Sequence, residues 1–149
     1  MQGYWQQPDE TKNTVKDGWL YTGDIAQMDS DGYFTIVDRK KDMILVSGFN
    51  VYPNDVEEQI AAVPGVLEVG VIGIADEKSG EAVRAYVVAS VPAPSAESIT
   101  AHCRQYLSGY KVPQSIVFVD ELPKSPIGKI LRRELRDSAA ASSSSTKGA

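Results

Sequence analysis

Hydrophobic residues after residue 42 recur with the spacings of strands and of helices. Two valine-rich runs, residues 66–74 and 82–91, predict buried strands, because β-branched side chains pack well on a pleated surface. Shorter apolar runs at residues 43–46 and 116–119 predict two more strands. These four runs make up the predicted sheet.

Two segments between the runs carry helix signals. Val56, Ile60 and Val63 follow the i, i+4, i+7 spacing of one helix face, behind a proline in the position favoured at a first helical turn. Ser95 is a good N-cap for a second helix, which is expected to reach Leu107.

A third helix is predicted to follow the loop at residues 122–129 and to run through Arg136. The order for residues 42–137 is then β-α-β-β-α-β-α. It predicts a small α+β domain, with helices packed against a mostly antiparallel sheet. The tail, residues 138–149, is rich in serine and alanine and is expected to be disordered, because it cannot bury enough apolar surface.

The amino-terminal part has a different pattern. The first 20 residues are polar and aromatic with little periodicity, and we expect them to wrap another surface. Asp31 and Gly32 predict a tight turn before the alternating strand at residues 33–37. The pair Asp29 and Asp31 could begin a calcium loop, but the further acidic ligands that an EF-hand requires are missing, so a turn is the better interpretation.

Charge and cysteine content exclude several kinds of function. The 149 residues contain 15 Lys and Arg against 20 Asp and Glu, a net charge of −5, so no general affinity for nucleic acid is expected. Cys103 is the only cysteine and His102 the only histidine, which excludes an internal disulfide and a histidine-rich metal centre and suits a reducing cytosol. Adjacent helix positions do not face each other, so these two residues are not expected to form a catalytic pair. No apolar run approaches the roughly 18 residues of a membrane-spanning helix.

Lys129 is the first candidate for chemistry. It ends the run SPIGK at residues 125–129, where proline and glycine fix an exposed backbone shape instead of filling a core. A lysine presented in this way suits a phosphate or a carboxylate. The alternative is an ordinary solvated lysine, and the sequence is not a Walker loop, because the upstream glycine and the following Ser or Thr are absent.

Asp24 and Arg39 form a second candidate cluster. Asp24 follows a glycine, and its carboxylate could accept two sugar hydroxyls, while Arg39 could hold the same sugar or a neighbouring phosphate. A turn with an exposed ion pair remains the alternative. The basic residues Arg132, Arg133 and Arg136 are interpreted as a solvated helix face, with contact to coenzyme A phosphates as the other option.

Three ordered motifs resemble those of fatty acyl-CoA ligases, in the adenylate-forming (AMP-binding) superfamily, and most of all the carboxy-terminal portion of the bacterial long-chain enzymes. The resemblance runs from about Gly3 to Arg136. Its motifs are DGWLYTGDI at 17–25 with IVDRKKDMI at 36–44, then SGFNVYP at 47–53, then LPKSPIGKILRR at 122–133.

The resemblance implies a two-step reaction of fatty acid, ATP and coenzyme A. An acyl-adenylate and pyrophosphate form first, and coenzyme A then converts the adenylate to acyl-CoA and AMP. Mg²⁺ is expected as well, bound mainly by another part of such an enzyme. The resemblance also implies a cytoplasmic location, with peripheral contact to the inner membrane as an open option.

Roles carry over from the family motifs residue by residue. Asp24 would bind the ribose and Arg39 the same nucleotide, with Asn50 as a further nucleotide contact. Lys129 would be catalytic in adenylate formation. Gly48 would line the pantetheine path, and Lys41 would be the hinge.

The chain departs from the family because the phosphate loop, the acyl pocket and the large first domain are absent from it. Residues 1–38 are therefore interpreted as the end of the large AMP-binding domain, 39–41 as the hinge and 42–137 as the mobile carboxy-terminal domain. On this interpretation the chain is the last quarter of a ligase, Met1 lies inside the original reading frame, and the fragment alone has no turnover. A stand-alone module that binds a nucleotide or a protein, and an aryl-CoA ligase of the same superfamily, remain alternatives.

Overall fold

The computed structural model describes residues 1–144 and divides into two compact units. The first unit is Met1–Lys41, and the second begins at Asp42. A single turn of 3₁₀ helix, Lys40–Asp42, carries the chain across this division.

The first unit contains one short helix and two small antiparallel hairpins. Its elements are α1 (Pro8–Thr14), β1 (Val15–Lys16), β2 (Trp19–Leu20), β3 (Asp24–Met28) and β4 (Phe34–Arg39). Strands β3 and β4 are joined through the turn predicted at Asp31 and Gly32, where Gly32 has a φ of +86° and the Asp29 carboxylate accepts the backbone N–H groups of Asp31 and Tyr33. The Asp29 side chain therefore shapes the turn itself.

The second unit is a five-stranded sheet with helices on both faces. Its elements are β5 (Ile44–Val46), β6 (Phe49–Val51), α2 (Pro53–Ala61), β7 (Val66–Asp76), β8 (Gly80–Ala89), α3 (Ala96–Tyr106), β9 (Ser115–Phe118) and α4 (Arg132–Ser144). Strand β8 is central: it pairs antiparallel with β7 and β5 and parallel with β9. The predicted α+β architecture with a mostly antiparallel sheet is confirmed.

Alternating side chains of β7 supply two separate cores. Val69 and Val71 pack with α2 and α3, and Ile72 packs on the other face with Leu135 and Ala139 of α4. Both faces of the sheet are covered, which explains why its strands are continuous valine-rich runs. The predicted helix stripe Val56, Ile60 and Val63 is buried in the first of these cores.

The sequence interpretation missed one strand and misplaced one helix end. Phe49–Val51 forms β6 and pairs with β5, and the predicted helix then begins at Pro53 as expected. Helix α4 was expected to end at Arg136 before a disordered tail, yet it continues to Ser144, because Ala139 is 7% exposed and packs against the sheet. Residues 145–149 of the predicted tail lie outside the described residues.

None of the helices within residues 1–144 has the length and apolar character needed to cross a bilayer.

Candidate functional site

Asp24 and Arg39 face each other across the hairpin of the first unit. They are register partners at the ends of β3 and β4, and Arg39 Nε lies 2.8 Å from Asp24 Oδ1. The Asp24 side chain is 25% exposed and that of Arg39 is 48% exposed. The sequence-predicted pair is thus a formed ion pair that solvent still reaches.

The local backbone holds this pair in place. Gly23 has a φ of +74°, and its carbonyl accepts the N–H of Lys40 at 2.8 Å. Asp38 is 3% exposed, and its carboxylate accepts the N–H of Arg39 at 2.7 Å. A carboxylate has about four acceptor positions, so Asp24 can bind hydroxyl groups while it remains paired with Arg39.

Lys129 lies at the end of a tight hairpin in the second unit. Gly128 N–H donates to Ser125 O at 2.8 Å, Gly128 has a φ of +80°, and Lys124 and Ile130 form an antiparallel bridge. Proline at the second turn position and a left-handed glycine at the fourth are the residues that a type I turn followed by a bulge requires.

The same hairpin exposes the lysine side chain. Ser125 Oγ accepts the N–H of Lys129 at 3.1 Å, and Ser125 N–H donates to Lys129 O at 2.8 Å. Both backbone groups of Lys129 are therefore held, while its side chain is exposed to solvent. An ammonium group on a fixed backbone can neutralise a developing negative charge.

Gly48 and Asn50 lie on another hairpin of the second unit. Ser47 and Gly48 have φ values of +50° and +85°, between the paired residues Val46 and Phe49. Two central residues with positive φ define a type I′ turn, which gives Gly48 a conformational reason to be glycine. Asn50 is exposed and lies opposite Leu45 in the ladder.

Lys41 is exposed and is the last residue of the first unit. Its neighbour Asp42 behaves differently, since only 11% of the Asp42 side chain is exposed. Asp42 Oδ1 lies 2.9 Å from Arg136 Nη1, and Asp42 Oδ2 lies 3.6 Å from Arg132 Nη1. The charged segment at the division between the units is therefore solvated at Lys41 and anchored at Asp42.

Arg132 belongs to an ion-pair network that the sequence interpretation missed. Its Nε and Nη2 bind Glu57 Oε1 and Oε2 at 3.0 and 2.7 Å, and Nη2 also donates to Asn54 Oδ1. The solvated-face interpretation is wrong for Arg132 and Arg136, which are 15% and 33% exposed, and holds for Arg133, which is 88% exposed. The i, i+4 spacing of Arg132 and Arg136 was the available signal, because it places both guanidinium groups on one helix face.

Two other potentially reactive side chains, His102 and Cys103, are neighbours on α3. Cys103 is fully buried between helices and sheet, and burial raises the pKa of its thiol, which disfavours the reactive thiolate. The His102 ring lies against Tyr106, with centroids 4.8 Å apart. Over residues 1–144 the structure has no cluster of three or more His, Cys, Asp or Glu side chains suited to a metal ion.

Comparison with known proteins gives consistent matches. The family model for the AMP-binding enzyme C-terminal domain matches residues 55–129. The long-chain-fatty-acid–CoA ligase of Yersinia pestis is 63% identical over 137 residues, which is 92% of this chain and 24% of that ligase.

Solved structures match over the same extent. A fatty acyl CoA synthetase of Mycobacterium tuberculosis is 44% identical with a TM-score of 0.73, over 94% of this chain and 28% of that one. The o-succinylbenzoate CoA synthetase of Bacillus subtilis, solved with its acyl-adenylate intermediate, is 36% identical with a TM-score of 0.85, over 92% of this chain and 28% of that one. The chain thus spans about a quarter of the length of the relatives it matches.

Proposed function

This chain belongs to the AMP-binding enzyme C-terminal domain family, and we propose that it acts as the carboxy-terminal part of a long-chain fatty acid–CoA ligase. The overall reaction joins a fatty acid to coenzyme A and converts ATP to AMP and pyrophosphate. In the first step a carboxylate oxygen attacks the α-phosphorus of ATP and pyrophosphate leaves. In the second step the coenzyme A sulfur attacks the acyl carbonyl carbon and AMP leaves.

One observation carries the proposal: the similarity to a long-chain ligase extends over 92% of the chain and so includes both units. A match confined to the second unit would fit a separate binding module equally well. Because it also includes the first unit, both Asp24 with Arg39 and the Lys129 hairpin lie inside the matched region.

Asp24 and Arg39 act on the nucleotide. The Asp24 carboxylate accepts hydrogen bonds from the ribose hydroxyls, and Arg39 orients that carboxylate and supports the same nucleotide. Their ion pair supports this role, because a 2.8 Å contact between cross-strand partners fixes the carboxylate before the ligand arrives.

Lys129 acts in the first step. Its ammonium group lies between the fatty acid carboxylate and the α-phosphate of ATP. Both groups are negatively charged, and the ammonium group reduces the repulsion between them as they react. The exposed side chain on a hydrogen-bonded hairpin supports this assignment.

Gly48, Asn50 and Lys41 serve the change between steps. Lys41 is the hinge about which the second unit turns after adenylate formation. Gly48 then lines the path of the pantetheine arm, and Asn50 contributes a contact to the nucleotide. The open space around the Gly48 Cα within the described residues, where an added Cβ would meet no atom within 4 Å, supports the second of these roles.

The rest of a ligase is the expected partner of the first unit. Large apolar side chains there are strongly exposed, including Trp5 at 86%, Trp19 at 75% and Tyr33 at 73%. Exposed apolar side chains in such number mark a surface that another part of a protein covers. The chain alone is therefore expected to give no turnover.

Mg²⁺ accompanies ATP in the proposed reaction, but the described residues offer no cluster that fits it, so no step is assigned to a metal bound here. We place the enzyme in the cytoplasm, and peripheral contact with the inner membrane remains a prediction. The acid is proposed to be long-chain because the ligase at 63% identity is named for such acids, whereas the o-succinylbenzoate enzyme, which represents the aryl alternative, shares 36%.

A chimaera tests the proposal directly. This chain replaces the corresponding quarter of the Yersinia pestis ligase, and pyrophosphate release and acyl-CoA formation from palmitate are measured separately. We expect both rates to lie within about tenfold of the parent enzyme. A tenfold loss corresponds to an increase of about 1.4 kcal/mol in activation free energy, which a slight misalignment of the exchanged part could cause. The parent without its last quarter is the negative control.

The same chimaera carries the test of Lys129. Lys129→Ala should lower the rate of adenylate formation by roughly 10²- to 10³-fold, as expected for loss of one electrostatic contact to the transition state. Acyl-CoA formation from supplied acyl-adenylate should change little. A folded chimaera without either activity would contradict the ligase proposal and favour the stand-alone module.

A further inference from the structure

Helix α4 begins three residues after Lys129, and its first residue, Arg132, pairs with acidic side chains from two other segments of the second unit. Arg132 binds Glu57 on α2 through two parallel contacts and reaches Asp42 at 3.6 Å. A guanidinium group holds a carboxylate in this two-point geometry with a fixed orientation, which an ammonium group cannot reproduce.

Glu57 is itself fixed to the sheet. Its Oε1 accepts the backbone N–H of Val71 in β7 at 2.8 Å, in addition to Arg132 Nε. The Glu57 side chain is 17% exposed, so this contact is largely shielded from water. Arg132 is therefore attached through Glu57 both to α2 and to the backbone of the edge strand β7.

The Lys129 hairpin has both apolar and polar attachments to the rest of the unit. Leu122 is 3% exposed and lies in the core that contains Leu135, and Ile130 packs against the same core. Lys124 pairs with Glu68, but the two side chains are 37% and 35% exposed, and ion pairs at such exposure are screened and hold geometry weakly. Among the polar contacts near the hairpin, those of Arg132 are better shielded and are therefore the stronger constraint on its orientation.

Asp42 extends the network to the division between the units. Its carboxylate pairs with Arg132 and Arg136 of α4. The helix that follows Lys129 is therefore bound by ion pairs to the first residue of the second unit. Two carboxylates and two guanidinium groups balance in charge, which allows them to lie together at low exposure.

We propose that Arg132 is a positioning residue for Lys129. Through Glu57 and Asp42 it fastens the Lys129 hairpin to α2, to β7 and to the residue that follows the hinge. The catalytic lysine then keeps one place in the second unit while that unit turns. This inference rests on the proposed ligase function and on the role of Lys129 in its first step.

The test uses the chimaera with the Yersinia pestis ligase and the two half-reactions. Arg132→Lys keeps the charge and removes the fork, and Glu57→Gln keeps an acceptor for Val71 N–H and removes the ion pair. In both variants we expect the kcat of adenylate formation to fall about 10- to 100-fold, since a displacement near 1 Å can lower a rate 10²-fold. The rate of acyl-CoA formation from supplied adenylate should change less than about threefold, because that step does not use Lys129.

Arg133→Gln is the matched control. Arg133 is the next residue of the same helix, but its side chain is 88% exposed and its ion pair with Asp137 is long, at 3.9 Å. This variant should keep both rates.

A double variant separates positioning from general structural damage. If Arg132 acts through Lys129, Lys129→Ala combined with Arg132→Lys should be no slower in adenylate formation than Lys129→Ala alone. Selective loss of the first step in Arg132→Lys or Glu57→Gln, together with this non-additivity, supports the inference. Equal loss of both steps in both variants, multiplied effects in the double variant, or no loss at all would overturn it.

The outcome also distinguishes this inference from the proposed function. If Lys129→Ala leaves adenylate formation intact, the assigned role of Lys129 is wrong and the inference falls with it. If Lys129→Ala is impaired and Arg132→Lys is not, the ligase proposal stands and only the positioning role is lost.

Discussion

Substitution of Gly48 can separate two reasons for a glycine at one position. Gly48 has a φ of +85° in the turn between β5 and β6, a conformation that side chains other than glycine and asparagine rarely adopt. The proposed pantetheine path gives a different reason, namely the absence of a side chain. An added Cβ would meet no atom of the described residues within 4 Å, so no clash inside the second unit complicates the comparison.

The two reasons rank three variants in different orders. A left-handed conformation costs about 1–2 kcal/mol for an ordinary L-residue, so Gly48→Ala and Gly48→Leu should both lower the free energy of unfolding by that amount, or roughly 2–8 °C in Tm for a chain of this length. Gly48→Asn should lower stability less, because asparagine tolerates this region. In side-chain size the variants decrease from leucine through asparagine to alanine. The Gly48→Asn protein is therefore expected to be more stable than Gly48→Ala, although its side chain is larger.

Thermal unfolding of each variant gives the stability order, and acyl-CoA formation from supplied adenylate in the chimaera gives the rate order. If Gly48 lines the coenzyme A path, Gly48→Asn should react more slowly than Gly48→Ala although it unfolds at a higher temperature. Adenylate formation should stay within about threefold in all three, since the obstruction affects only the second step. Rates that follow the stability order would show that Gly48 is a turn residue and would refute the path assignment.

Two further predictions concern the hinge and the core. Lys41→Pro should retain adenylate formation and lose overall turnover, because proline fixes φ at the proposed pivot. The control variant Lys41→Ala should retain both activities. If both half-reactions are lost together in a folded Lys41→Pro protein, the pivot lies elsewhere. Gly70→Ala should destabilise this chain by about 1–3 kcal/mol in urea unfolding, because the added Cβ would lie 2.9 Å from Leu135 Cδ1. Gly109→Ala has no neighbour within 4 Å among the described residues and should be nearly neutral, so an equal effect of both glycine variants would contradict the packing argument.

Elements whose signal is local were predictable from the sequence. The stripe Val56, Ile60 and Val63 is spaced by the helix period and is buried as expected. Ser95 caps α3 by accepting the N–H of Ser98 at 3.1 Å, which is the contact that makes serine a preferred N-cap. In both cases the information lies within one or two helical turns.

Elements that depend on partners were harder to predict. Strand β6 has only three residues, and its pairing with β5 depends on a turn in which Ser47 adopts a positive φ. Serine does not favour that conformation, so its presence in the sequence does not predict the turn. The end of α4 depends on Ala139, whose burial against the sheet stabilises a segment that by composition alone is too polar to order. The alanines of this segment favour a helix, and this is visible in the sequence. The packing of Ala139 against the sheet, which stabilises the helix, is not visible there.

The charged residues of the site show the same limit in its strongest form. Asp42 and Arg136 lie 94 positions apart, and Glu57 and Arg132 lie 75 apart, so no local pattern indicates that they meet. Charged residues that follow one another in sequence are ordinarily solvated, and the Arg133 side chain is 88% exposed. A charged side chain becomes buried only where the fold brings an opposite charge to it. Family motifs identified Lys129, which contacts substrate in the proposed reaction, and could not indicate what holds it. If Arg132 positions that lysine, its placement is set by charged residues that composition alone describes as surface. The i, i+4 spacing separates Arg132 and Arg136 from Arg133, but the three-dimensional arrangement is needed to show which acidic groups they bind.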